Sequence, residues 1–121
     1  MTKTALVVDD STSMRQMVAY TLKEAGYSVI EGSNGQDALD SIQGKPVNVV
    51  ITDLNMPVMD GMTLIKKLRS KPEYKFTPIL MLTTEAQDDR KREGKAAGAT
   101  GWIVKPFNPE QLIGVLGKVV R

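Results

Sequence analysis

The stretch Val47-Asn48-Val49-Val50-Ile51-Thr52-Asp53 decides the fold. Five of its first six residues are β-branched, and the seventh is a carboxylate. Branching at Cβ favours extended backbone over helix. A short apolar run of this kind between helical patterns reads as a parallel strand buried on both faces. Working outward, similar runs recur at residues 5–8, 27–31, 79–83 and 99–104. Met14, Met17, Val18 and Leu22 form a 3.6-residue apolar stripe after the first run. Leu64, Ile65 and Leu68 do so after the third, and Leu112, Val115, Leu116 and Val119 after the fifth. The methionines therefore read as core residues.

Helix boundaries carry their own signals. Ser33 with Gln36, Thr84 with Gln87, and Asn108 with Gln111 have capping-box spacing. Pro109 falls on a first helical position, where its missing N–H costs nothing. Gly26 and Gly44 sit where helices would end. The pattern is βα repeated five times. It predicts one α/β domain over residues 1–121, a doubly wound, five-stranded parallel sheet with helices on both faces.

Composition narrows the chemistry. The 121 residues contain no cysteine and no histidine. Disulfides, thiolate metal sites, histidine-ligated zinc and any Ser-His-Asp or Cys-His nucleophile are excluded. A bound metal must be held by oxygen, which points to Mg²⁺, Ca²⁺ or Mn²⁺. No apolar run approaches the roughly 20 residues that span a bilayer. The N-terminal apolar stretch is too short for a signal peptide, so the cytoplasm is expected. A net charge of +2 gives no argument for nucleic acid. Arg90, Lys91, Arg92 and Lys95 alternate with Asp88, Asp89 and Glu93 and read as a solvated helix face.

In such sheets, ligands bind beyond the carboxyl ends of the strands. The first run ends in Asp9-Asp10, the third in Asp53, the fourth in Thr83-Thr84 and the fifth in Lys105-Pro106. Two like charges roughly 4 Å apart repel by about 4 kcal/mol at an effective dielectric near 20. Lys105 offsets one of the three carboxylates, and a divalent cation would cancel the other two charges. Retained waters and hard oxygen ligands suit Mg²⁺. Helix capping would account for one of Asp9 and Asp10, but not for both together with Asp53. A carboxylate can attack phosphorus, and an ammonium, a hydroxyl and a metal nearby would stabilise the transfer. By chemistry alone, Asp53 is either that nucleophile or a third metal ligand.

Four segments then carry a resemblance. Val-Val-Asp-Asp-Ser, Thr-Asp-Leu-Asn-Met-Pro-Val-Met-Asp-Gly, Leu-Thr-Thr-Glu-Ala and Val-Lys-Pro-Phe occur in that order. Together they resemble the receiver domain of two-component response regulators, over essentially the whole chain. The resemblance implies a strand order of 2-1-3-4-5, which spacing alone does not supply. It implies that Asp53 is the phosphoacceptor. Asp10 would bind Mg²⁺ directly, Asp9 partly through water, and Asn55 through its backbone carbonyl. Thr83 would hydrogen-bond the phosphoryl group, Lys105 would pair with one of its oxygens, and the Lys105–Pro106 bond would be cis. Asn55 and Glu85 match the stand-alone chemotaxis regulators of the CheY type. Trp102 stands where many members carry Tyr or Phe, and Leu54 where some carry Trp.

The expected partners are a histidine kinase as phosphodonor and a downstream protein, with the flagellar motor switch as the chemotaxis candidate. A phosphatase is a further expected partner, and a monomer is expected. The sequence ends after the fifth helix, so output is expected through protein binding rather than an attached domain. A phosphorelay intermediate is the alternative within the class. An aspartyl-nucleophile phosphatase would need an acid where Asn55 stands. A flavodoxin-like electron carrier would need a phosphate loop where Asp9-Asp10 stands. Between Leu82 and Trp102 there is no large apolar residue. The fourth helix, over residues 86–97, should therefore anchor only through Ala86, Ala96, Ala97 and the stems of polar side chains. Gly94 should weaken it further, as low-stability switching elements require. Thr84, Glu85 and Trp102 are the expected switch and partner face.

Overall fold

The computed structural model describes residues 2–120. Strands β1 (Thr4–Val8), β2 (Ser28–Gly32), β3 (Val49–Thr52), β4 (Ile79–Thr83) and β5 (Gly101–Val104) alternate with α-helices. These are α1 (Thr12–Glu24), α2 (Gly35–Ser41), α3 (Gly61–Arg69), α4 (Asp88–Ala97) and α5 (Pro109–Val119). Every strand pairing is parallel, and the order is β2-β1-β3-β4-β5, as the family resemblance implied.

Strand alternation sorts the core into two halves. Leu6, Val8, Val50, Ile79 and Met81 face Ala38, Leu64, Ile65 and Leu68 of α2 and α3. Ala5, Val7, Val49, Ile51, Leu80 and Leu82 face Val18, Leu22, Leu112 and Leu116 of α1 and α5. Because β3 and β4 are buried throughout, they read as unbroken apolar runs. Each such Leu or Ile contributes roughly 1.5–3 kcal/mol on burial.

The helix stripes hold with one exception. Met17 is 56% exposed, as is much of Tyr20, and Ala19 and Thr21 take the buried positions beside Val18 and Leu22. Gly26, at φ +95°, follows α1, and Asn108 caps α5 through Glu110 and Gln111, both as read from sequence. Gly44 lies a residue further from α2 than a C′ glycine would. Two caps differ. Asn34, not Ser33, caps α2, because its Oδ1 accepts from Asp37 N–H while Asp37 Oδ2 accepts from Ser33 N–H. Thr84 caps nothing. Thr83 Oγ1 accepts from Glu85 N–H and Glu85 Oε1 from Gln87 N–H, so two turns precede α4, which starts at Asp88.

Helix α4 is as poorly anchored as its composition implies. Only Gly94 is buried, Ala97 packs on the core, and Ala86 and Ala96 are exposed rather than anchoring. Arg90 pairs with Glu93, and Arg92 with Asp89, on its outer face. Its C-terminal end is held differently. Gly98, at φ +119°, ends it, and the Gly98 carbonyl accepts from Arg69 Nε at 3.1 Å and Nη2 at 2.8 Å. Arg69 Nη1 also donates to the Tyr74, Lys75 and Thr77 carbonyls. No helix among the described residues is long and apolar enough to cross a membrane.

Candidate functional site

Strand order reverses between β1 and β3, which opens a crevice at their carboxyl ends. Three site residues each lie one position past a strand, and each is held by one more rung of the ladder. Asp9 N–H donates to the Gly32 carbonyl at 3.1 Å, Asp53 N–H to that of Val8 at 2.9 Å, and Lys105 N–H to that of Thr83 at 2.8 Å. Their backbones are therefore as rigid as the sheet, and their side chains emerge on the same rim.

Lys105 Nζ lies 2.8 Å from Asp9 Oδ2 and 3.3 Å from Asp53 Oδ2. All three side chains are nearly buried, with 5–12% of their surface exposed. Burial alone would push the Lys105 ammonium down. The hydrogen bond to Asp9, the negative fields of Asp53 and Asp9 and the contact with Asp53 outweigh it, holding Lys105 above the ordinary lysine value. The remaining carboxylate oxygens are also tied. Asp9 Oδ1 accepts from Ser11 N–H at 2.9 Å and Asp53 Oδ1 from Leu54 N–H at 2.7 Å.

Asp10 completes the cluster from an exposed position. One oxygen from each of Asp9, Asp10 and Asp53 lies within 4.8 Å of the others. Three hard oxygen donors at this separation, with one lysine among them, suit a small divalent cation such as Mg²⁺. Asp10 has no lysine partner, which makes it the natural site to test. Asp10→Asn should raise the metal-free melting temperature by relieving repulsion. It should also weaken Mg²⁺ binding by at least about tenfold, since even outer partners of a ligand cost that much. A Mg²⁺ titration that Asp10→Asn leaves unchanged would contradict the site.

Thr83 is fully buried at the end of β4, while Thr84 is exposed and makes no part of the cluster. Asn55 is exposed two residues beyond Asp53. Glu85 is tied through its backbone, because Trp102 Nε1 donates to its carbonyl at 2.8 Å. The Lys105–Pro106 bond is cis.

Two features escaped the sequence reading. Gly61 closes the second of the quoted segments, and it starts α3 against the site itself. A Cβ there would lie 2.3 Å from the Asp53 carbonyl oxygen, and Gly61 N–H donates to the Leu54 carbonyl. The only local signal was Asp60, which caps α3 through Thr63 N–H. Val58 adopts φ +69° in the loop after Asp53, with Met59 N–H bonded to the Pro57 carbonyl. A β-branched residue there carries strain of roughly 1–3 kcal/mol.

Comparison with known proteins identifies the family. The family model described as response regulator receiver domain matches residues 5–116. The chain is 42% identical over 109 residues to the chemotaxis protein CheY homolog of Campylobacter jejuni, covering 88% of this chain and 84% of that one. It is equally identical to chemotaxis protein CheY1 of Helicobacter pylori, covering 88% of each. The structure of chemotaxis protein CheY4 of Vibrio cholerae superposes with a TM-score of 0.95 at 52% identity, over 99% of this chain and 100% of that one. The chain belongs to the response regulator receiver domain family.

Proposed function

We propose that this protein is a Mg²⁺-dependent phosphoreceiver of a chemotaxis pathway, phosphorylated on Asp53 by a histidine kinase. The observation that carries the reading is the Asp53 carboxylate itself. It is nearly buried on a rigid ladder rung at the switch point, beside Lys105 and within reach of Asp9 and Asp10. In the transfer, an Asp53 oxygen attacks the phosphorus of a phosphohistidine. The P–N bond breaks as the P–O bond forms, and the imidazole leaves and takes up a proton. Asp9, Asp10, Asp53 and the Asn55 carbonyl would hold Mg²⁺, which supplies charge neutralisation to the transferring group. Lys105 supplies the second positive charge, and the Thr83 hydroxyl a donor that moves toward the phosphoryl oxygens.

The output is protein binding rather than turnover. Trp102 and the face formed by α4, β5 and α5 change with phosphorylation, and a cytoplasmic partner reads the two states by differential affinity. Relatives named as chemotaxis proteins support a chemotaxis pathway, and a flagellar motor component is the partner proposed within it. A phosphatase would return the switch to rest.

The test is direct. Incubation with Mg²⁺ and a small acyl phosphate should add one phosphoryl group, which peptide mass mapping should place on Asp53. Chelation of Mg²⁺ should remove the labelling, and Asp53→Asn should abolish it. A label on any other residue defeats the reading.

A further inference from the structure

The loop after Asp53 is fastened to the start of α2, and a glycine makes the fastening possible. We propose that Gly35 is a notch for Met59, and that Met59 in this notch holds the turn at residues 57–59 and, through it, the Asn55 carbonyl in place for Mg²⁺. The proposal rests on the reading of that carbonyl as a metal ligand.

The notch leaves no room for a methyl group. A Cβ at Gly35 would lie 2.8 Å from Met59 Cγ and Sδ, and 2.9 Å from Met59 Cβ. The far end of a methionine can swing aside. Its Cβ is fixed to the backbone, so relief would have to move the Met59 main chain. Gly35 is buried at the first position of α2 and is not left-handed, so its own conformation gives no reason for glycine. Contact with Met59 does. The same two residues share a hydrogen bond, from Gly35 N–H to the Met59 carbonyl at 3.3 Å. Met59 itself is buried in the core half under α2 and α3.

The turn beside the notch needs holding. Met59 N–H donates to the Pro57 carbonyl at 2.7 Å, across Val58 at φ +69°. A hydrogen bond from residue i+2 back to i about a positive φ is the rare, strained kind of γ-turn. Val58 is 82% exposed, so no burial of its own offsets the strain. Such a conformation persists only where its surroundings over-determine it. Two ties do this. Gly61 N–H closes the loop on the Leu54 carbonyl, and Met59 is fastened at Gly35. Asn55 lies in the short span between the Leu54 and Met59 ties. If Met59 is displaced, the turn relaxes and the Asn55 carbonyl moves with it. Gly35 is accordingly a positioning residue, acting on the metal site through Met59.

Mg²⁺ affinity of the unphosphorylated full chain, measured by titration calorimetry, is the readout. Gly35→Ala should weaken binding by about tenfold, the lower end for groups that act on a metal through one of its ligands. Leu116→Ala, in the opposite half of the core, should lower the urea midpoint and leave Mg²⁺ affinity at the wild-type value. That comparison separates positioning from lost stability. A double-mutant cycle in metal-free buffer tests the notch itself. Met59→Ala removes Cγ and Sδ, so Gly35→Ala should lower the urea midpoint less in that background than alone. Wild-type Mg²⁺ affinity in Gly35→Ala overturns the proposal, and so do additive midpoint shifts. If Gly35→Ala fails to fold, Met59→Ala empties the notch and should bring the same loss of affinity, and unchanged affinity there overturns the proposal. Wild-type protein that binds no Mg²⁺ would instead overturn the metal reading itself, and this proposal with it.

Discussion

Lys105→Ala should cost about 3 kcal/mol of stability in metal-free buffer, the lower end of what breaking a buried ion pair removes. The lysine stands between two nearly buried carboxylates, 2.8 Å from Asp9 and 3.3 Å from Asp53. Without it, Asp9 and Asp53 face each other uncompensated, with Asp10 adding a third charge within 4.8 Å. Residual exposure of 5–12% admits some water, which is why the lower end applies. Mg²⁺ should restore much of the loss, because a ligand bound only by the native state stabilises by RT ln(1 + [L]/Kd). Urea titrations with and without Mg²⁺ measure both quantities. Equal metal-free midpoints for wild type and Lys105→Ala would show that the pair contributes nothing. In the phosphorylation assay, Lys105→Ala should still accept label from a small acyl phosphate. It should lose phosphorylation-dependent partner binding, since the role proposed for the ammonium is to pair with the phosphoryl oxygen.

Gly61→Ala should destabilise by roughly 1–3 kcal/mol, the usual cost of overpacking, and should slow phosphorylation of Asp53 as well. Its Cβ would meet the Asp53 carbonyl oxygen at 2.3 Å and Leu54 Cα at 3.0 Å. Both are backbone atoms of the segment that aims the Asp53 side chain, so relief requires moving either α3 or Asp53. Gly114→Ala is the matched control. It makes the same chemical change inside α5 with nothing within 4 Å, and should stabilise by up to about 1 kcal/mol. The two substitutions should therefore shift the urea midpoint in opposite directions, and only Gly61→Ala should alter the labelling rate. A Gly61→Ala protein as stable and as readily labelled as Gly114→Ala would mean that α3 and Asp53 are not in contact.

What the sequence determined by itself was local and periodic. The β-branched run ending at Thr52 and its four counterparts announce buried parallel strands, because alternation on a doubly covered sheet leaves no polar face. The topological rule for such sheets then directs attention to the residues after each strand, and Asp9, Asp10, Asp53 and Lys105 do meet there. The caps show where this kind of reading ends. Asn108 follows from spacing, but Thr84 does not cap α4, because the Thr83 and Glu85 side chains spend the loop's N–H groups on turns first.

Only the tertiary structure decided the rest, and distance along the chain is the reason. Met17 has the right period for the core yet lies outside it, since burial depends on what covers a helix face. Glycine carries no side-chain signal, so Gly35 and Gly61 look alike in sequence to any loop or helix-weakening glycine. Their roles exist only because the Met59 side chain and the Asp53 carbonyl approach within a Cβ radius from elsewhere in the fold. Arg69 likewise reads as one more cation at the end of α3. It becomes the anchor of α4 because the chain returns 29 residues later to present the Gly98 carbonyl to it.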